Sequence, residues 1–174
     1  MKIMTKYLNS LKTVALAFIF GLLAACAHPD SVGLGTSYDS VMDKLGAPDS
    51  RIVLPDGSLR VVYSLQPMGQ QSYVMIFNKE GHLIFKENLL QQKYFNEIKP
   101  KVMNEQDIYN MFGHPCEKWT YALSGEHTYM YRFQDGGMDW ALWVDFDNKT
   151  NEVLRYVISI DPWTQRDGDD DKNI

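Results

Sequence analysis

The stretches "DKLGAPDS" (residues 43–50) and "NMFGHPCE" (residues 110–117) decide the fold of this 174-residue chain. Each writes an apolar residue, Gly, any residue and Pro at the end of a short amphipathic run. Before the first, Thr36 or Ser37 caps a predicted helix, with Asp39 three residues after Thr36 as in a capping box. Tyr38, Val41, Met42 and Leu45 share one face of it. Gly46 admits the positive φ that ends the helix, and Pro48 forbids its resumption. The second stretch repeats each step. Asn104 caps, Asp107 stands at the third position, and Ile108, Met111 and Phe112 form the apolar face. Gly113 then stops the helix and Pro115 blocks it. The same separation lies between Gly46 and Gly113, Pro48 and Pro115, and Val41 and Ile108.

Strand-like runs follow each stop in matching order. The first set is "SRIVL", turn "PDGS", "LRVVYSL", loop "QPMGQ", "QSYVMIFN", turn "KEG" and "HLIFKEN". The second is "EKWTYAL", turn "SGE", "HTYMYRF", loop "QDGG", "MDWALWVDFD", turn "NKTN" and "EVLRYVISI". Tyr63 corresponds to Tyr131 and Phe77 to Phe146. Dense turn chemistry marks hairpins, hence antiparallel pairing. The predicted class is α+β, with two tandem units, each a short helix followed by a four-stranded antiparallel meander. The units span 35–88 and 102–160, and 89–101 links them with a helical turn before Pro100. Residues 161–174 read as an acidic disordered tail. Four short strands bury little apolar area unless a helix covers one face. Two such units side by side are expected to share sheet edges and a larger core.

The chain begins with an address. Lys2, Lys6 and Lys12 precede an apolar run of about a dozen residues and then small residues, the layout of a secretory signal peptide over 1–25. A membrane-spanning helix needs roughly 20 apolar residues, so the run is too short for one. "LAAC" (Leu23 to Cys26) resembles a bacterial lipobox, which implies cleavage before Cys26 and attachment of acyl chains such as palmitate to it. Each buried methylene contributes about 0.8 kcal/mol to membrane attachment. Residues 26–34 then act as a tether. By the same resemblance, Ala27 after the cysteine favours the outer membrane.

Charge agrees with anchoring through lipid. The formal net charge is -5, and cleavage removes three lysines and no acid. No basic block exists, which argues against nucleic acid as a partner. An acidic body is repelled by anionic lipid, leaving the acyl group to supply attachment. Cys116, the second of 2 cysteines, then has no intramolecular partner and reads as a small hydrophobe.

The lipobox, "GTSYDSVMDKLGAPD" opening at Gly35, and a hairpin carrying Tyr63 resemble the SmpA/OmlA (BamE-like) family of small outer-membrane lipoproteins. "NEQDIYNMFGHPCEKW" followed by "YMY" is similar to the same domain. Together these cover roughly residues 35–160. The paired helix-and-sheet units also resemble the β-lactamase inhibitor protein fold, which binds another protein through a concave sheet. The family resemblance implies a non-catalytic, periplasm-facing accessory in outer-membrane assembly or integrity, with envelope proteins as partners. Single-domain members carry one unit where this chain carries two.

No cofactor, metal or catalytic group is expected. The histidines at 28, 82, 114 and 127 lack the spacing of a helical zinc site, and no Cys-x-x-Cys occurs. His114 and Cys116 in "HPC" read as helix-exit residues. His127, Ser124 and Glu126 cannot all aim at one reacting atom from a hairpin turn. "DPWTQRDGDDDKNI" lacks the residue order of a calcium loop. The informative feature is strand alternation. Trp140, Leu142, Val144 and Phe146, with Tyr129, Tyr131 and Phe133, form the expected core face. Met130, Arg132, Trp143, Asp145 and Thr120 are then predicted on the outward face. That face has the composition of a protein-binding hot spot, or else packs on the other unit or the linker. In the last strand, Val153/Arg155 and Leu154/Tyr156 are equally plausible inward sets. Three functions follow: a lipid-anchored protein-binding module, an inhibitor-like module for a periplasmic enzyme, or a hydrolase.

Overall fold

The computed structural model describes residues 27–166. The expected signal peptide over 1–25, the expected lipidation site Cys26 and residues 167–174 lie outside the described residues. The chain divides into two compact units, Met1–Ser31 and Val32–Ile174. Within the first, a 3-10 turn spans Pro29–Ser31.

Two four-stranded antiparallel sheets and a few short helices build the second unit. In chain order these are α1 (Tyr38–Leu45), β1 (Ser50–Val53), β2 (Leu59–Ser64), β3 (Ser72–Phe77), β4 (Leu83–Asn88) and α2 (Gln92–Phe95). Then come α3 (Glu105–Phe112), β5 (Glu117–Tyr121), β6 (Glu126–Asp135), β7 (Met138–Asp147), β8 (Val153–Ile160) and α4 (Pro162–Arg166). Each sheet runs in sequence order, β1-β2-β3-β4 and β5-β6-β7-β8.

Capping chemistry fixes the two longer helices. Ser37, not Thr36, caps α1 and accepts from the Ser40 N–H; Thr36 Oγ1 instead donates to the Gly33 carbonyl at 2.7 Å. Asn104 caps α3 in a complete capping box with Asp107. Both helices end on a glycine of positive φ, Gly46 at 79° and Gly113 at 76°, with ψ of -164° and -155°. That region of backbone space is essentially closed to residues with a Cβ. A tyrosine from the neighbouring sheet then takes each glycine carbonyl: Tyr63 Oη donates to Gly46 O at 3.1 Å and Tyr131 Oη to Gly113 O at 3.0 Å.

Strand alternation sorts the first sheet into two buried faces. Val61, Tyr63, Met75, Phe77 and Leu83 join Val41 of α1 in one cluster. Val62 and Val74 point the other way, into a larger cluster with Ile108, Met111 and Phe112 of α3 and the inner face of the second sheet. Helix α3 therefore lies between the two sheets, touching β1, β2 and β3 on one side and setting Phe112 against Tyr131, ring centroids 5.4 Å apart and tilted by 54°, on the other. The sheets share a helix and a core; the expected joining of their edges does not occur, because each sheet closes its own strand order.

The last carbonyls of a helix lack intrahelical donors, and here side chains of the first sheet supply several of them. Arg60 Nη1 donates to Asn110 O at 2.5 Å and Ser72 Oγ to Phe112 O at 2.6 Å, and just beyond the helix Ser64 Oγ donates to His114 O at 2.7 Å. Asp49 completes the junction. Its carboxylate accepts from the Ser64 N–H at 2.7 Å and meets His114 Nδ1, while His114 Nε2 lies 2.5 Å from Gln66 O.

Two boundary expectations are corrected. The tether does not extend to residue 34, since Val32 is buried in the first core cluster. Residue 161 does not open a disordered tail: Asp161 is fully buried and Pro162–Arg166 is helical. The linker packs as well, with Leu89, Leu90, Phe95 and Ile98 in the shared core.

Candidate functional site

The second sheet presents the predicted core set inward: Tyr129, Tyr131, Phe133, Leu142, Val144 and Phe146 all join the shared cluster, with Trp140 against it. Register then fixes the outward face. Trp119 pairs with Thr128 and Thr128 with Asp145; Glu117 pairs with Met130 and Met130 with Trp143; Arg132 pairs with Ala141. Thr120 does not belong there. It pairs with His127, on the same side as the core residue Tyr129. The cause is the turn. Strand β5 ends at Tyr121, which pairs with Glu126 across residues 122–125, one residue longer than the "SGE" turn predicts. The new register is offset by an odd number of residues, which sends alternate side chains to the other side. Trp119 takes the place expected of Thr120.

Trp119 and Trp143 stand on strands that flank β6, yet their rings stack at 4.9 Å with 23° between planes. They meet above β6, where Thr128 and Met130 are buried. Met130 is therefore floor rather than contact surface. Trp143 is held from the other side too, its Nε1 donating to Ser159 Oγ at 2.8 Å.

Arg132 is also withdrawn from solvent. Its Nε donates to Asp161 at 2.6 Å, Nη1 donates to Pro67 O at 3.1 Å, and the guanidinium lies 4.3 Å from the Trp163 ring centroid. Trp163 Nε1 in turn donates to Glu117 at 2.7 Å. The Arg132 side chain is 12% exposed and that of Asp161 0%. This end of the face packs on the chain's own C-terminal helix and on the loop after β2. Packing against another part of the chain is thus true of one end of the face.

The other end stays open. A cavity of about 370 Å³ is lined by Tyr121, Glu126, Thr128, Trp143, Asp145, Arg155, Val157 and Ser159. Tyr121 is 47% exposed and Val157 49%. Arg155 bridges the acids, its Nη2 2.6 Å from Glu126 and its Nε 2.8 Å from Asp145. The hydrogen bond from Arg155 holds the Glu126 pKa below its ordinary value. Asp145 also accepts from Thr128 Oγ1 at 2.5 Å. Of the five residues predicted for partner binding, Trp143 and Asp145 line this groove; Met130 and Arg132 lie beneath side chains of the same chain and Thr120 is on the reverse face. Tyr121, Arg155 and Val157 escape the sequence reading. The β8 register that places the latter two turns on a bulge between Asp145 and Phe146, which lets Val153 and Tyr156 both face the core although their spacing is odd.

A second cavity, about 510 Å³, lies at the start of α3 and is lined by Asn104, Glu105, Gln106, Tyr109, Lys118, Tyr129, Thr150 and Asn151. Lys118 Nζ donates to Tyr129 Oη at 2.7 Å, and Tyr129 Oη donates to Glu105. His127 Nε2 is 3.4 Å from Glu105. The Ser124, Glu126 and His127 grouping does not assemble. His127 stacks on Phe146 on the inner face, Glu126 pairs with Arg155 on the outer, and Ser124 Oγ bonds Tyr121 O.

His114 and Cys116 do not converge on a ligand either. Both ring nitrogens of His114 are engaged. Burial, reinforced by the charge of Glu117, pushes the Cys116 thiol up to about 11. Among the described residues no group of three or more His, Cys, Asp or Glu is arranged to hold a metal ion, and no helix is long and apolar enough to cross a membrane. No family model, curated protein or solved structure matches the chain.

Proposed function

We propose that this chain is a lipid-anchored, non-enzymatic envelope protein that binds other proteins through the open end of the second sheet's outward face. The observation that carries the reading is the groove between Tyr121, Trp143 and Val157, where aromatic and aliphatic side chains stay exposed around a stacked, immobilised indole pair. Rigid aromatic anchors beside a concave apolar surface are the usual makings of a binding hot spot. The lipobox "LAAC" supports attachment through acylated Cys26 at the outer membrane, facing the periplasm.

In this reading the chain holds two equivalent units, each a helix followed by a four-stranded meander, like the SmpA/OmlA lipoproteins. The matched glycine caps, each with a tyrosine hydroxyl on its carbonyl, support that equivalence. The role is an accessory one in outer-membrane assembly or integrity. Labelling cells with a palmitate analogue and photo-crosslinking from Tyr121 test both halves. Label lost in Cys26→Ala, and adducts with defined envelope proteins from Tyr121 but not from Lys79 in the first unit, are expected. Absence of label, or equal adducts from both positions, overturns it. Inhibition of a periplasmic hydrolase by the purified protein would recast the same groove as an inhibitor surface.

A hydrolase reading rests on the Glu105, Tyr129 and Lys118 chain at the second cavity. Its support is thinner, because Tyr129 is buried and already bonded on both sides. Esterase and glycosidase panels with Glu105→Gln as control separate it from binding.

A further inference from the structure

Val32 is buried in the first core cluster, so only residues 27–31 separate Cys26 from the folded body. An extended chain spans at most about 3.6 Å per residue, and a 3-10 turn about 2 Å per residue. With Pro29–Ser31 in such a turn, Val32 lies within roughly 17 Å of Cys26. The headgroup layer of a bilayer takes about 5–8 Å of that reach. What remains is about the width of a single helix with its side chains, about 10–12 Å. That is too little for a globular partner. The surface around Val32 is also apolar. Gly35 N donates to Leu83 O at 2.7 Å, Leu83 N to Thr36 O at 2.9 Å, and Lys86 Nζ to Val32 O at 2.9 Å. These bonds lay the segment after Val32 along the start of β4. There Leu34, Ile84 and Phe85 are 69%, 54% and 43% exposed. Register accounts for the pair on the strand: Leu83 pairs with Phe77 and Phe85 with Ile76, which leaves Ile84 as the extra, unpaired residue of a bulge.

We infer that Leu34, Ile84 and Phe85 form a bilayer-facing patch, which enters the headgroup boundary of the membrane that holds Cys26. This rests on the reading of Cys26 as acylated and adds which side of the body meets lipid. Exposed apolar patches mark contacts with proteins or with membranes. The short reach from the acyl group selects the membrane, because it presses this surface to the headgroups before a protein can enter. Aliphatic and aromatic side chains held at that depth gain by burial at the acyl boundary. Anionic headgroups add nothing, since the chain carries a net charge of -5 and is repelled by them. Contact through the patch is therefore independent of salt and of lipid charge. It also leaves the groove on the second sheet, a separate surface, to its protein partner.

The test uses the full acylated chain, purified from membranes and reconstituted into phosphatidylcholine vesicles with or without bromine on the acyl carbons nearest the headgroup. Phe85→Trp supplies the reporter. The native Trp119, Trp140, Trp143 and Trp163, all in β5, β7 and α4, set the baseline. Brominated lipid is expected to quench the added indole at least about twofold, at low and at high salt alike. Adding Leu34→Asp and Ile84→Asp, both at exposed sites, should lift that quenching with the circular dichroism unchanged. Labelling the same preparations with a palmitate analogue reports on Cys26 separately. An acylated chain whose added indole is open to iodide and untouched by brominated lipid overturns the patch, while anchoring through Cys26 stands. Shielding from both quenchers overturns it too, since a protein or a second copy would then cover these residues. If the chain takes no label, anchoring itself fails and the inference falls with it.

Discussion

Gly113 carries two constraints where Gly46 carries one. Both hold a backbone conformation that costs a residue with a Cβ about 1–3 kcal/mol. At Gly46 an added Cβ would meet open space; at Gly113 it would lie 2.8 Å from the Ser64 Cβ and 3.1 Å from the Asp49 Cβ. Gly113→Ala should therefore lower the urea midpoint clearly more than Gly46→Ala, because it also forces the first sheet away from the α3 exit. Equal losses would mean the close approach relaxes freely. Cys116 offers a second check at this scale. With its thiol near 11 rather than the ordinary 9, it presents roughly 100-fold less thiolate at neutral pH. Alkylation of the folded protein at pH 7.5 should be correspondingly slow and should accelerate on unfolding in urea.

Helix caps and strand registers show where the sequence was legible. Asn104 and Asp107 form the capping box that their spacing announces, and Asn104→Ala should cost about 1 kcal/mol in chemical denaturation. Ser37→Ala should cost less: the Ser40 N–H reaches its hydroxyl only at 3.3 Å, and the Ser40 side chain bonds that hydroxyl at 2.8 Å rather than closing a capping box. Burial periodicity likewise exposed the core faces of β6 and β7, because ten-residue strands repeat the pattern often enough to fix it. Strand β5 has too few residues for that, so its face depended on a turn whose length composition does not settle. One residue there moved Thr120 to the reverse face, where it stays exposed, and Trp119 to the outward one. The bulge in β8 had no sequence signal, and with it went Val157 and Arg155. Nor did sequence reveal that Trp163 would fold back over Arg132, since the many carboxylates of residues 161–174 make the segment read as a solvated tail despite that tryptophan.

The molecule as a whole depends on α3, which serves both sheets. Phe112→Ala should destabilise by about 3–5 kcal/mol, and near-UV dichroism and exchange in the first sheet should fall together with those in the second. Separate transitions would contradict a shared core. The Asp49 and His114 pair makes that junction sensitive to pH. His114 has acceptors on both ring nitrogens, so only the imidazolium satisfies both, and the hydrogen bond it donates to Asp49 raises its pKa against the opposing effect of burial. Burial pushes the Asp49 pKa upward, but the His114 and Ser64 donors outweigh it and the net shift is down. The His114 contribution is complete below about 6.5 and fades as pH rises through its folded value. The Asp49 contribution is complete above the ordinary value of 3.8 and fades as pH falls through its lower folded value. Stability relative to His114→Gln should thus be greatest between about pH 4 and 6.5 and shrink on either side; a pH-independent difference in urea midpoints would refute the charged clamp.

The cage around Arg132 has a practical consequence for handling the chain. Cutting after Ile160 would strip a guanidinium of its carboxylate and its aromatic lid while leaving it recessed. Orphaning one member of a buried ion pair costs about 3–5 kcal/mol, so a truncated version should express poorly even though both sheets remain intact on paper. Tags and reporters belong after Arg166, where they leave Asp161 and Trp163 in place.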